Sequence, residues 1–149
     1  MNGHPKIGQD VKELEWVLRR ISTLIKQKGR EILQDFPITP PQFIALQWLK
    51  EEGEMTIGAL SEKMYLANST TTDLIDRMEK AGLVQRERSL ADRRVVHIRL
   101  LDKGKMLIDE VIRHRQEYLA KVMESFTPEE RDQLKALLNL LYREMEEGN

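Results

Sequence analysis

Residues 57–101 read IGALSEKMYLANSTTTDLIDRMEKAGLVQRERSLADRRVVHIRLL, and the order of elements in this run decides the fold. Ile57, Leu60, Met64 and Leu66 fall near helical spacing, with small Ser61 beside them where a second helix can approach, so residues 57–65 are expected to form a positioning helix. Asn68 and Ser69 are good N-cap types. Thr71, Leu74, Ile75 and Met78 then mark one buried face until Gly82 offers a C-terminal cap. Val96, Ile98 and Leu100 alternate with His97 and Arg99, the pattern of a strand with one buried face, and residues 83–88 supply its partner. Two short helices, a tight turn and a hairpin in this order predict a winged helix-turn-helix whose second helix is the recognition helix.

The chemistry lies on the outer face of that second helix. Ser69, Thr70, Thr72, Asp73, Asp76 and Arg77 point away from the apolar stripe. Hydroxyls and backbone N–H groups at a helix N-terminus suit phosphate oxygens, while Thr can touch a thymine methyl and Arg can grip guanine. A Thr-rich start also serves simply to cap a surface helix, so the hairpin loop carries the argument further. It places Asp92 beside Arg93 and Arg94, where a carboxylate can fold back onto one guanidinium, stiffen the turn and leave the other arginine to enter a narrow, electronegative minor groove.

Charge distribution agrees. From Arg77 to Arg99 seven Lys and Arg oppose three Asp and Glu, whereas Glu124 to Asn149 carries three against seven, all within a chain of net charge -1. The basic surplus coincides with the recognition helix and the wing, as binding to a polyanion requires. His97 is expected on the exposed strand face within reach of phosphate.

The flanks predict how one such domain becomes a pair. Asp10 and Glu13 look like a helix start, and Leu14, Leu18, Ile21, Ile25 and Ile32 trace a long apolar stripe. A helix over residues 10–35 would extend about 39 Å, more than a small core needs. Thr39-Pro-Pro-Gln42 and Thr127-Pro-Glu-Glu130 both read as capping boxes with Pro in the first turn, opening helices through Phe43, Leu46 and Leu49 and through Leu134, Leu137, Leu138, Leu141 and Met145. Between them Leu107, Ile108, Val111, Ile112, Tyr118, Leu119, Val122 and Met123 mark another long helix. The expected architecture is mainly α with a small β-hairpin wing: a DNA-binding lobe over residues 38–101 inside a single domain of residues 1–149, flanked by dimerisation helices over 10–35 and 102–147. Long apolar stripes at both ends favour an intertwined homodimer.

Other function classes are poorly served. With no Cys the chain cannot use a thiol-based oxidant switch, and His4, His97 and His114 lack a second ligand at metal-binding spacing, so neither a metal nor a cofactor is expected. There is no phosphate-cradling Gly loop, nucleophile elbow or isolated carboxylate pair, which argues against an enzyme. No apolar run reaches membrane-spanning length and the N-terminus lacks the apolar core of a secretory signal, so a soluble cytoplasmic protein is expected. A winged helix used only for protein interaction stays the alternative.

The run Leu60-Ser-Glu-Lys-Met64, the stretch from Ser69 to Arg86 with its Ala-Gly-Leu-Val turn, Asp92-Arg-Arg94 and Leu100-Leu-Asp-Lys-Gly104 resemble the MarR family of bacterial transcriptional regulators over nearly the whole chain. The resemblance implies a homodimer that binds a pseudo-palindromic operator, usually as a repressor, and is released by a small ligand. It puts groove contacts on Ser69, Thr70, Thr72 and Asp73, and Asn68 at the same helix start is a further candidate. Wing contacts fall on Arg93 or Arg94 with Asp92 orienting them, Arg77 and Arg86 match basic positions near the backbone, and Arg88 is a further wing candidate. It also implies an apolar or aromatic effector near Trp16, Phe43, Trp48 and Met106. Two positions depart from the family pattern. Asp73 stands where a basic residue is common, and Leu101 stands where a capping Thr is common, so Asp102 is expected to cap the next helix one residue late.

Overall fold

The computed structural model describes residues 3–148, so Met1, Asn2 and Asn149, at the two ends of the expected 1–149 domain, lie outside it. In chain order the elements are α1 (Gln9–Leu33), α2 (Pro40–Glu52), β1 (Met55–Thr56), α3 (Ile57–Met64), α4 (Asn68–Lys80), β2 (Val84–Arg88), β3 (Val96–Leu100), α5 (Asp102–Val122) and α6 (Pro128–Glu147). The chain divides into two compact units, the first ending at Ile112 and the second beginning at Arg113.

The core of the first unit gathers the stripes read from the sequence. Leu46, Leu60, Ile75, Met78, Ile98 and Ile108 are fully buried, with Leu49, Leu83, Val84 and Val111 nearly so. Each such side chain contributes roughly 1.5–3 kcal/mol of burial free energy. Together they hold α3, α4 and the hairpin to α2. The sheet is antiparallel in the order β1-β3-β2. Met55 pairs with Ile98 on one edge, and Arg86 pairs with Ile98 on the other. The two-residue β1 lies outside the expected hairpin because it is too short to show alternation.

Both capping boxes form as read: Thr39 with Gln42 and Thr127 with Glu130 exchange side-chain and backbone hydrogen bonds. Three helix starts differ from expectation. The Gly8 carbonyl accepts from Lys12 N–H at 3.2 Å, so α1 opens just before Asp10, and it ends at Leu33. Ala67 rather than Asn68 or Ser69 caps α4, its carbonyl accepting from Thr71 N–H at 3.1 Å, because the chain is already extended at Ala67 (φ -67, ψ 150). At α5 the Leu101 carbonyl accepts from Lys105 N–H at 2.9 Å, so Asp102 lies in the first turn instead of capping it. Leu101 is held there by its own N–H, which donates to the Leu83 carbonyl at 3.0 Å and fixes where the strand gives way to the helix.

The ends of α3 and α4 use the same closing turn with different residues. After α4, Leu83 N–H reaches the Met78 carbonyl and Gly82 N–H the Glu79 carbonyl, both at 3.0 Å, with Gly82 at φ +76. After α3, Leu66 N–H reaches Ser61 at 3.0 Å and Tyr65 N–H reaches Glu62 at 3.2 Å, but the left-handed residue is Tyr65 (φ 56). A Cβ in that region costs about 1–2 kcal/mol, and glycine escapes it. Tyr65 is 95% exposed, so its ring contributes little packing in return. Replacing Tyr65 with Gly is therefore expected to stabilise the chain by about 0.5–1 kcal/mol, seen as a higher urea midpoint. An unchanged or lower midpoint would show that the Tyr65 ring has packing value in solution.

In the second unit α6 buries none of its residues. A cleft of about 560 Å³ opens there, with Leu119, Met123, Leu134, Leu138 and Tyr142 among its lining residues. Arg131 closes the interhelical turn by donating to the Met123 carbonyl at 2.8 Å.

Candidate nucleic-acid interface

Helix α4 lies with Thr71, Ile75 and Met78 in the core, which leaves Asn68, Ser69, Thr70, Asp73 and Arg77 exposed, as the sequence face predicts. Thr72 is half-buried and its hydroxyl donates to the Asn68 carbonyl at 2.8 Å. Buried Thr71 makes the equivalent bond to Ala67 at 3.3 Å. These bonds satisfy hydroxyls that would otherwise compete with the backbone. Asp73 and Arg77 are four residues apart, yet among the described residues they form no ion pair. The outer face thus presents hydroxyls, one carboxylate and one guanidinium. At the other end of α4, Lys103 donates to the Ala81 carbonyl at 2.8 Å, a favourable cation at a helix C-terminus that the sequence did not announce.

The wing tip is tightly cross-linked. Ser89 N–H donates to the Val95 carbonyl at 2.9 Å, Val95 N–H to the Asp92 carbonyl at 3.0 Å, and Asp92 N–H to the Ser89 hydroxyl at 3.3 Å. Asp92 grips Arg94 through both carboxylate oxygens: Nε and the backbone N–H donate to Oδ1, and Nη2 donates to Oδ2, each at 3.1 Å. The Arg94 side-chain hydrogen bond, followed by its backbone N–H, lowers the Asp92 pKa below the ordinary carboxylate range. The clamp is therefore complete above the ordinary Asp range and is lost as pH falls through the lowered value. Arg88 donates to the Arg93 carbonyl at 2.7 Å and braces the tip from the strand. Of the two wing arginines, Asp92 thus holds Arg94, whose side chain is nevertheless 90% exposed; Arg93 makes no side-chain hydrogen bond among the described residues.

Arg86 is bonded to the recognition helix. Its backbone N–H donates to Glu79 Oε2 at 2.9 Å, its Nε and Nη2 donate to Glu79 Oε1 at 3.3 and 3.1 Å, and Nη2 also donates to Asp76. The Asp76 hydrogen bond, followed by that of Glu79, raises the guanidinium pKa, while the Arg86 backbone N–H leads the lowering at Glu79. Arg86 is thus a latch between the recognition helix and the first wing strand. The sequence carried no sign of this, since seven and ten residues separate the partners. Arg86→Ala is expected to cost about 1 kcal/mol of stability, discounted for partial exposure of the cluster, with a lower thermal midpoint. An unchanged midpoint would return Arg86 to the list of duplex contacts.

His97 lies in the central strand, half-buried between Thr56 and Glu87 where an exposed position is expected, and its Nδ1 is buried without a hydrogen-bond partner. On the same face Arg99 binds Glu87 at 3.0 Å and Gln85 at 3.1 Å. The four expected effector residues are spread among different environments. Trp16 lines a cleft of about 500 Å³ with Gln9, Lys12, Glu13 and Val17. Phe43 and Trp48 pack against the core, Trp48 lying 4.9 Å from Lys63 Nζ, and Met106 is 72% exposed.

A sequence model of the MarR family matches residues 38–96, the stretch holding this helix-turn-helix and wing. The chain is 62% identical to the HTH-type transcriptional regulator YsmB of Bacillus subtilis, covering 82% of this chain and 84% of YsmB. The chain belongs to the MarR family. Its backbone also matches the solved structure of a MarR family protein from Bacillus stearothermophilus, with TM-score 0.89, 56% identity and coverage of 95% of this chain and 99% of that one. A further relative, the B. subtilis transcriptional repressor MdtR, is 28% identical over 82% of this chain and 79% of its own. As a MarR regulator the chain is a DNA-binding transcription regulator with a winged helix fold, and not an enzyme. Among the described residues no helix is long and apolar enough to cross a membrane.

Proposed function

We propose that the chain represses transcription as a homodimer on a pseudo-palindromic operator, reading one half-site with each subunit and releasing it when an apolar or aromatic small molecule binds. The observation that carries this reading is the wing: the guanidinium that Asp92 locks in place is still 90% exposed, so the clamped Arg94, and not only the arginine left free, is prepared for a narrow, negative groove. Residues 38–101 serve as the DNA-reading lobe, with Asn68, Ser69, Thr70, Thr72, Asp73 and Arg77 in the major groove and Arg93 and Arg94 along the minor groove. Residues 10–35 and 102–147 supply dimerisation. The repressor MdtR supports repression as the output. Two recognition helices must then stand about 34 Å apart to enter successive major grooves. An effector acts by binding more tightly to a dimer whose helices miss that spacing. Work on the genome sets its place in the cytoplasm.

Titration of the full chain with random-sequence duplex at two salt concentrations tests the electrostatic core of this reading. Binding at low salt that falls steeply with added salt is expected, because displaced counterions enter with each phosphate neutralised. No binding at low salt would favour a protein-interaction module.

A further inference from the structure

We propose that Asp73 reads the amino group of a cytosine in each operator half-site, an inference that rests on the DNA-binding reading above and names the base class it selects. Asp73, Asp76 and Glu79 follow one another at intervals of three along α4, so the recognition helix carries an acidic edge. Arg86 neutralises two of the three, bonding Asp76 and Glu79 together. Asp73 is different: it is exposed and unpaired among the described residues, although Arg77 stands one turn away. An uncompensated carboxylate close to phosphates is repelled unless the duplex offers it a donor.

The major groove has two donors, cytosine N4 and adenine N6. Adenine sets its N7 acceptor next to N6, which repels a carboxylate, whereas cytosine carries only a C–H beside N4. A second observation points the same way. The Thr72 hydroxyl proton is engaged by the Asn68 carbonyl at 2.8 Å, so next to Asp73 this hydroxyl has only acceptor capacity left for a base edge. Acceptors at two successive positions of the helix favour a donating base edge.

The test is selection of bound duplexes from a random library by the wild-type full chain, Asp73→Ala and Asp73→Asn. For the wild type, one symmetric pair of positions is expected to hold cytosine, preferred about 5- to 100-fold over other bases. In Asp73→Ala that preference disappears at those positions alone, while affinity for random duplex rises as the repulsion is removed. In Asp73→Asn the same positions shift toward adenine, which an amide can bind through N6 and N7 together. A wild-type motif that both variants reproduce unchanged overturns the assignment while leaving DNA binding intact. A wild-type chain that binds no duplex overturns the underlying reading as well.

Discussion

Arg94→Ala is expected to lower operator affinity by at least about 30-fold while leaving the fold unchanged. An arginine contact to the duplex contributes about 1–3 kcal/mol, and a homodimer would lose two of them, so even the lower bound doubles to about 2 kcal/mol, or about 30-fold. Little else should change, because the side chain is 90% exposed and, among the described residues, its side-chain hydrogen bonds run to Asp92 alone; surface substitutions of this kind usually shift stability by less than about 0.5 kcal/mol. The wing backbone keeps its own bonds through Ser89, Asp92 and Val95. Fluorescence anisotropy with a selected operator gives the affinity, and the urea midpoint gives the control. Asp92→Asn should have a smaller effect in the same direction, since it frees Arg94 without removing its charge and the ordering must then occur on binding. Arg93→Ala should cost less than Arg94→Ala, because no carboxylate prearranges Arg93. Unchanged affinity in both arginine variants would remove the wing from the mechanism.

The parts of this interface that could be read from the sequence are those set by local rules. The inward stripe Thr71, Leu74, Ile75 and Met78 fixes by helical period which side chains of α4 face outward, and Asn68, Ser69, Thr70, Asp73 and Arg77 are exposed as expected, with Thr72 and Asp76 half-buried. Thr39 with Gln42 and Thr127 with Glu130 show the same: both partners lie within one turn. What escaped depends on residues distant in sequence. The Arg86 latch needs α4 and β2 already packed, and the orphaned Nδ1 of His97 needs β1, a strand of two residues, to cover the outer edge of β3. Tyr65 at φ 56 escaped for another reason: a bulky residue is the least expected type in that backbone region. Alternation alone placed His97 on the face opposite Ile98, and it is there. Strand period gives the side but not what lies above it.

Leu137→Glu combined with Leu141→Glu is expected to convert a dimer into a folded monomer and to reduce affinity for a full operator about 100-fold or more. In the single chain these leucines are 65% and 38% exposed, and α1 likewise leaves Leu14 at 59%, Leu24 at 58% and Trp16 at 52%. Apolar faces of this extent mark interaction surfaces. The dimer reading buries them against a second copy, where self-complementarity places each introduced carboxylate near its symmetry mate. Burying an unpaired charge costs several kcal/mol, and the interface would carry four such charges. Within one chain, by contrast, a glutamate on an exposed helix position is well tolerated, so far-UV circular dichroism should not change. DNA affinity falls because linking two half-site readers makes the second binding event intramolecular, typically worth about 100- to 10,000-fold. Binding to a single half-site should therefore stay the same, and this comparison separates loss of dimerisation from damage to the DNA-reading face. Sedimentation velocity supplies the direct readout. A double variant that still sediments as a dimer would place the interface elsewhere, and one that is monomeric yet keeps full operator affinity would mean that a single recognition helix and wing suffice.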